Sequence, residues 1–339
     1  MKRFIIVLTI IFVVILIWEA VNVWASGFTP LPNLPPNEYN GELGGLYPNE
    51  SNTIPAPYMD EVQAAYDALV LDTDIHFLCS GMSNMKHTCD AMIDDVDSQM
   101  SSAVDIGNAG RPGRAIQHFD TETPGDVYTN LTRAGFTPSD VDVVIFFNAC
   151  ALPENQYCGD WYVMADSIRQ VYNNLNVAYP NLKLIYFTSR EYAPPFAASL
   201  NPNPYAYQDG FSYKWAIESR IVGDLSGVPV IWGPYQYDES WPDSYFNPDG
   251  IHLSDEGLEV AGALWYSFFL NEPWFSAGPI PTATPSVTPD PNVTPTVTPS
   301  PTETPSAEPT ATPCTLQPPI MCQGTPPWYQ SNPVIRGGR

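Results

Sequence analysis

The chain has few basic residues and very few histidines. Its 339 residues include 13 lysines and arginines against 37 aspartates and glutamates, a formal charge of −24. So acidic a surface repels phosphate backbones and anionic lipid, which excludes a nucleic-acid partner and leaves neutral and cationic ones open. Only four histidines occur, and neither they nor the six cysteines fall at CxxC or HxxxH spacing. A zinc site therefore has little to stand on. Beyond the first residues no long apolar segment could serve as a lid over a lipid substrate. Residues 278–313, a tract of Pro and Thr with some Ser, have almost nothing to bury. They are expected to form a stiff, disordered linker. The short Cys-containing tail that follows, 314–339, is too small for a core of its own and carries no recognisable sorting or lipidation signal.

What the chain does have begins with an export pattern. Lys2 and Arg3 precede an apolar run from Phe4 to Trp18, and Val23-Trp24-Ala25 forms an imperfect small-residue cleavage site. Residues 1–25 are expected to be a signal peptide or an N-terminal membrane anchor. The protein is then secreted or extracytoplasmic, and in the anchored form attached to a membrane or cell surface. The cysteines agree with export, since they fall in three local pairs. Pairing is not dictated by sequence. Cys79–Cys89, Cys150–Cys158 and Cys314–Cys322 are the simplest assignment.

Residues 26–57, rich in Pro, Asn and Gly, read as an exposed, extended lead-in lying over the domain. From 58 to 277 strands and helices alternate. Five short apolar runs, rich in β-branched and aromatic residues, read as buried strands: 74–79, 103–107, 141–147, 182–188 and 228–232. Helical stripes separate or follow them at 160–175, 209–225 and 255–270. This rhythm predicts an α/β fold with a parallel sheet covered on both faces. Ligands in such folds bind beyond the carboxyl ends of strands, so chemistry is expected in the loops there.

Four of those loops carry candidate residues, each with a plainer reading beside it. Ser83, on a strand-to-helix turn after Gly81, could present its hydroxyl above the sheet or simply cap a helix. Gly110, in GNAGRPGR, could bring a backbone N–H to a ligand or make a plain turn. Asn148, closing the apolar strand VDVVIFF, could donate to developing negative charge or cap the chain. His87 reads as a flanking surface residue. In NPDGIHLSDEG, Asp249 and His252 stand three apart. One turn puts a carboxylate on one ring nitrogen and leaves the other facing a pocket. Ser254, with Asp255 and Glu256, then opens a helix. Nine aromatic residues in the loops after the fourth and fifth strands, Tyr192, Tyr205, Tyr207, Phe211, Tyr235, Tyr237, Trp241, Tyr245 and Phe246, could line a substrate cleft or pack the loops against one another.

In the order Ser, Gly, Asn, Asp-x-x-His, these blocks resemble the SGNH hydrolases of the GDSL esterase/lipase superfamily, over roughly residues 58–274. The resemblance implies a three-layer α/β/α domain with a flavodoxin-like five-stranded parallel sheet. It implies Ser83 as nucleophile, His252 as base and Asp249 as its acid partner. The N–H groups of Ser83 and Gly110 and the Asn148 amide become the oxyanion hole. Neither a cofactor nor a metal is called for. Two blocks depart from the family pattern: Gly81-Met82-Ser83 stands where Gly-Asp-Ser is usual, and Phe146-Phe147-Asn148-Ala149 where Gly-x-Asn-Asp is. The expected activity is hydrolysis of a carboxylic ester, either a small molecule or O-acetyl groups on a polysaccharide. Competing readings are a non-catalytic glycan-binding or surface-displayed module on the same fold, and an O-acyltransferase.

Overall fold

The computed structural model describes residues 27–277, apart from 122–123, 151–159, 195 and 197–200. The expected signal segment, linker, tail and the Cys158, Cys314 and Cys322 positions lie outside the described residues. The chain divides into two units, Met1–Thr282 and Ala283–Arg339, and every described residue belongs to the first.

Five strands form one sheet: β1 (Ile75–Gly81), β2 (Val104–Asn108), β3 (Val141–Phe147), β4 (Leu184–Phe187) and β5 (Val230–Trp232). All neighbouring pairs are parallel, in the order β2-β1-β3-β4-β5. This is the flavodoxin-like order, as expected. Its helices are α1 (Ala56–Val70), α2 (Ser83–Asp94), the single turn α3 (Asp126–Thr129), α4 (Trp161–Ala178), α5 (Tyr205–Ile221) and α6 (Asp255–Phe269). The chain crosses from β1 to β2 in one direction and from β3 to β5 in the other. Right-handed crossovers therefore place α2 on one face and α4 and α5 on the opposite one. Accordingly α2 packs on α6, and α4 on α5. Strand β3 is buried along its whole length, as a central strand apolar except for Asp142 requires.

The order reverses between β1 and β3, so the loops leaving these strands part and open a crevice at their carboxyl ends. Gly81 makes the first departure feasible. Its φ is +147°, and a Cβ there would lie 1.8 Å from the Phe147 carbonyl oxygen. No side chain larger than hydrogen lets β1 end so close to β3.

The lead-in differs from expectation. It does lie over the domain, but it is not simply exposed: Leu31, Leu34 and Tyr47 are core residues. Lys214, itself buried, donates to the carbonyls of Leu43 and Gly44 at 2.6 and 2.7 Å. The Tyr47 hydroxyl accepts the Trp232 N–H, and the Tyr58 hydroxyl accepts the Val230 N–H at 2.7 Å. The backbone of edge strand β5 is thereby closed to further pairing. Tyr192, Tyr207, Phe211, Tyr237 and Phe246 form a second apolar cluster with Leu31 and Leu34. For these five, and for Tyr235, Trp241 and Tyr245 packed against them, the loop-packing reading holds; Tyr205 joins neither apolar cluster.

Candidate active site

Ser83 is the first residue of α2, and Met82 occupies the N-cap position without a side-chain hydrogen bond. First-turn N–H groups of a helix have no acceptor within it. No carboxylate or hydroxyl caps this end, so its partial positive charge remains available beside the Ser83 hydroxyl. The Cys79–Cys89 disulfide ties the end of β1 to α2 across the turn that carries Ser83. In the chain-entropy view, closing so short a loop contributes on the order of 2–3 kcal/mol.

The Asp249–His252 turn is held from several sides. Gly250 N–H donates to the Asn247 carbonyl at 2.8 Å, closing a β-turn with Pro248 at its second position. Asn247 N–H donates to the His252 carbonyl at 2.9 Å, and the Asn247 amide reaches the Leu253 carbonyl at 2.9 Å. Ser254 caps α6 by accepting the Gly257 N–H at 3.2 Å. The two ends of the loop meet in a bridge between Phe246 and Leu253.

Inside this frame Asp249 uses both oxygens. Oδ1 accepts the N–H groups of Ile251 and His252 at 2.8 and 3.0 Å, while Oδ2 lies 2.8 Å from His252 Nδ1. Partial burial pushes the Asp249 carboxyl up, but the bonds from the ring and the two N–H groups together hold it below its usual value. It is therefore ionised at neutral pH. His252 Nε2 lies 2.9 Å from Ser83 Oγ. A proton on Nδ1, bonded to the carboxylate, leaves Nε2 with a lone pair aimed at the hydroxyl. Residues 169 positions apart in sequence thus meet in one relay.

The relay opens on a cavity of about 260 Å³. Met82, Ala149 and Ile251 supply apolar wall, and Arg114, Gln117, Asn201 and Arg190 supply polar groups. None of the nine aromatic residues lines it.

The two remaining expected donors stand nearby but are engaged, and neither lines the cavity. Gly110 N–H donates to Asn108 Oδ1 at 2.9 Å. A Cβ on Gly110 would come within 2.5–2.8 Å of the Lys86 main chain and Cβ, so this glycine serves the close approach of its loop to α2. Asn148 is fully buried. Its amide donates to the Arg114 carbonyl at 3.2 Å, and its Oδ1 accepts the Ala149 N–H at 2.8 Å. An amide nitrogen has two hydrogens, so Asn148 retains one donor beyond this contact. Cys150, two residues on, is disulfide-bonded. His87 is half-buried with its ring centroid 5.5 Å from that of His252. Burial, with Lys86 and His252 nearby, lowers its pKa, so it stands neutral beside the relay.

Asn108, Asn84, Arg190 and Glu191 were not among the expected residues. Arg190 and Glu191 carry the clearest retrospective signal, two adjacent charges in the loop that follows the apolar run of β4, after Thr188 and Ser189. Among the described residues, no group of three or more His, Cys, Asp or Glu is arranged to hold a metal ion. Nor is any helix among them long and apolar enough to cross a membrane. No protein-family model matches the chain, and no curated protein matches it.

Proposed function

We propose that the protein is an exported serine esterase of the SGNH type that hydrolyses carboxylic esters, with O-acetyl groups on a carbohydrate as the expected substrate. The observation that carries this reading is the unbroken series Asp249–His252–Ser83, with separations of 2.8 and 2.9 Å, opening on a cavity. The mixed wall also favours it: Met82, Ala149 and Ile251 suit an acyl methyl, and Arg114, Gln117 and Asn201 suit a hydroxylated alcohol part.

In this mechanism His252 Nε2 removes the Ser83 proton as Oγ attacks the ester carbonyl carbon. The resulting imidazolium is stabilised by Asp249. Negative charge on the carbonyl oxygen falls near the N terminus of α2, where the Ser83 N–H is a donor and the second Asn148 hydrogen can contribute. Collapse breaks the C–O bond to the alcohol, which takes the proton from His252 and leaves an acyl-Ser83. Water, deprotonated by His252, then adds to the acyl carbon and releases the acid and the serine. A departure from the usual donor set matters here. With the Gly110 N–H spent on Asn108, stabilisation rests on fewer groups, and each such donor is typically worth about 10²–10³ in rate.

The engaged donors favour one rival, a glycan-binding module on the same fold. Release of p-nitrophenol from p-nitrophenyl acetate, measured beside Ser83→Ala, separates the two. Turnover that vanishes in a folded variant supports the esterase; equal rates in both proteins overturn it. Acetate release from acetylated xylan or pectin then ranks polymer substrates.

A further inference from the structure

Behind the cavity lies a buried polar group that the relay does not use. Asn84, which follows Ser83 on α2, directs its Nδ2 to two acceptors. One is the Ile251 carbonyl at 2.7 Å; the other is the Glu191 carboxylate. Its Oδ1 is 3.4 Å from Ser83 Oγ. Asn84 and Glu191 are 4 % and 1 % exposed. With a carbonyl and a carboxylate both facing Nδ2, only one orientation of the amide fits.

The Ile251 carbonyl belongs to the peptide that joins Ile251 to His252. The N–H of that same peptide is bound by Asp249 Oδ1 at 3.0 Å. One peptide unit is therefore gripped at both poles, by the acid of the relay on one side and by the neighbour of the nucleophile on the other. Arg190 adds a longer contact to the same carbonyl, 3.5 Å from Nη2. Arg190 is itself anchored to the carbonyl and side-chain oxygens of Asn201, both at 2.8 Å.

We infer that Asn84 and Glu191 are positioning residues for the reaction proposed above: they set the distance between His252 Nε2 and Ser83 Oγ. Asn84 spans from the helix of the nucleophile to the loop of the base, and Glu191, in the loop after β4, holds Asn84 in that span. Losing one partner of a buried hydrogen bond leaves the other unsatisfied, which is costly, so the native arrangement is strongly enforced. The inference rests on the esterase reading, because a binding module would not need this distance held.

The test measures kcat, KM and melting temperature for the full chain and its variants on p-nitrophenyl acetate. Asn84→Ala should lower kcat about 10²-fold, the loss expected of a misplacement near 1 Å, and leave KM within about a factor of two. Glu191→Ala should lower kcat in the same direction. Glu191→Gln, which keeps an acceptor oxygen for Asn84, should recover most of that loss. A folded Asn84→Ala with kcat within about threefold of native overturns the inference, and so does an effect confined to KM, which would make Asn84 a substrate contact. The same split is required of Asn84→Ser, so failure of the alanine variant to fold leaves the test standing. Turnover that depends on Ser83 but not on Asn84 sinks only this inference. Turnover independent of Ser83 sinks the esterase reading as well.

Discussion

The protein builds two histidine–aspartate pairs, one at each end of the same parallel sheet. At the carboxyl end His252 Nδ1 and Asp249 Oδ2 are 2.8 Å apart. At the amino end His76 Nδ1 and Asp142 Oδ2 are 3.7 Å apart, on the starts of β1 and β3. The residue types match, but their surroundings differ. Asp142 is buried and divided among other partners: its Oδ2 accepts the His76 main-chain N–H at 2.9 Å, and its Oδ1 takes Lys183 Nζ at 2.5 Å. The His76 ring lies edge-on to Phe136, 4.7 Å between centroids. Asp249 instead gives one oxygen to the backbone and the other wholly to the ring, and the far nitrogen of that ring meets a hydroxyl. A carboxylate beside an imidazole is thus a latch in one place and, in the proposed reaction, the acid–base pair in the other. The third group decides which.

The sharpest way to break this comparison is to remove the third group or the acid of the upper pair. Ser83→Ala is expected to abolish ester turnover. Asp249→Asn, which keeps the shape but misdirects the ring proton, should lower kcat by about 10⁴. Asp142→Asn should leave kcat unchanged. Stopped assays on folded protein decide it. A large kcat loss in Asp142→Asn would show that the lower pair is more than a latch.

The upper pair could be read from sequence because its geometry is local. Asn-Pro-Asp-Gly specifies a turn, Ser254 a helix start, and the spacing from Asp249 to His252 one face. Ser83 was legible as a serine where an apolar strand gives way to a helix. What surrounds them was not, since it depends on contacts distant in sequence. The Asn108 that engages Gly110 is itself held by the Lys86 carbonyl of α2, 22 positions back, and Asn148 is engaged by a carbonyl 34 residues away. The aromatic residues looked as fit for a cleft as for a core. What decides is a lead-in that returns to them: Tyr207 bonds the Thr29 carbonyl across 178 positions, and Phe28 stacks on its ring at 4.8 Å. No local pattern encodes that return. The strand order was likewise legible only through the family resemblance; alternation by itself predicts a parallel sheet without ordering it.

A smaller effect sharpens the comparison from below. Removing the carboxylate of Asp142 leaves Lys183 with Asp72 as its remaining partner, at 3.1 Å, and weakens acceptance of the His76 N–H. Asp142→Asn should therefore cost about 1–3 kcal/mol in urea unfolding at neutral pH. His76→Phe, which loses the 3.7 Å contact but keeps an aromatic ring beside Phe136, should cost less. Equal losses for the two would mean that the imidazole, not the Lys183 bridge, holds the lower latch.

The smallest expected effect lies in pH, where the two pairs should fail at opposite ends of the scale. Asp249 is held below its usual value near 3.8 by its hydrogen bonds despite partial burial. A depressed carboxyl gives stability that is present above its unfolded pKa and lost as pH falls through the folded one. Lys183 has the opposite sign. Burial lowers its pKa, but the bonds to Asp142 and Asp72 outweigh this and raise it above 10.5. Its contribution is present below the unfolded value and lost only as alkaline pH passes the folded one. Both groups are partly exposed, so solvent screening keeps each effect small. The measurement is the difference in melting temperature between native protein and variant across pH. For Asp249→Asn the deficit should shrink below pH 4, and for Lys183→Met above pH 10.5. An Asp249→Asn deficit that stays constant into acid would mean the aspartate gains nothing from its ionised state. The tight contact to His252 would then orient the ring without charging it, and Asp249 would be a positioning group in the relay.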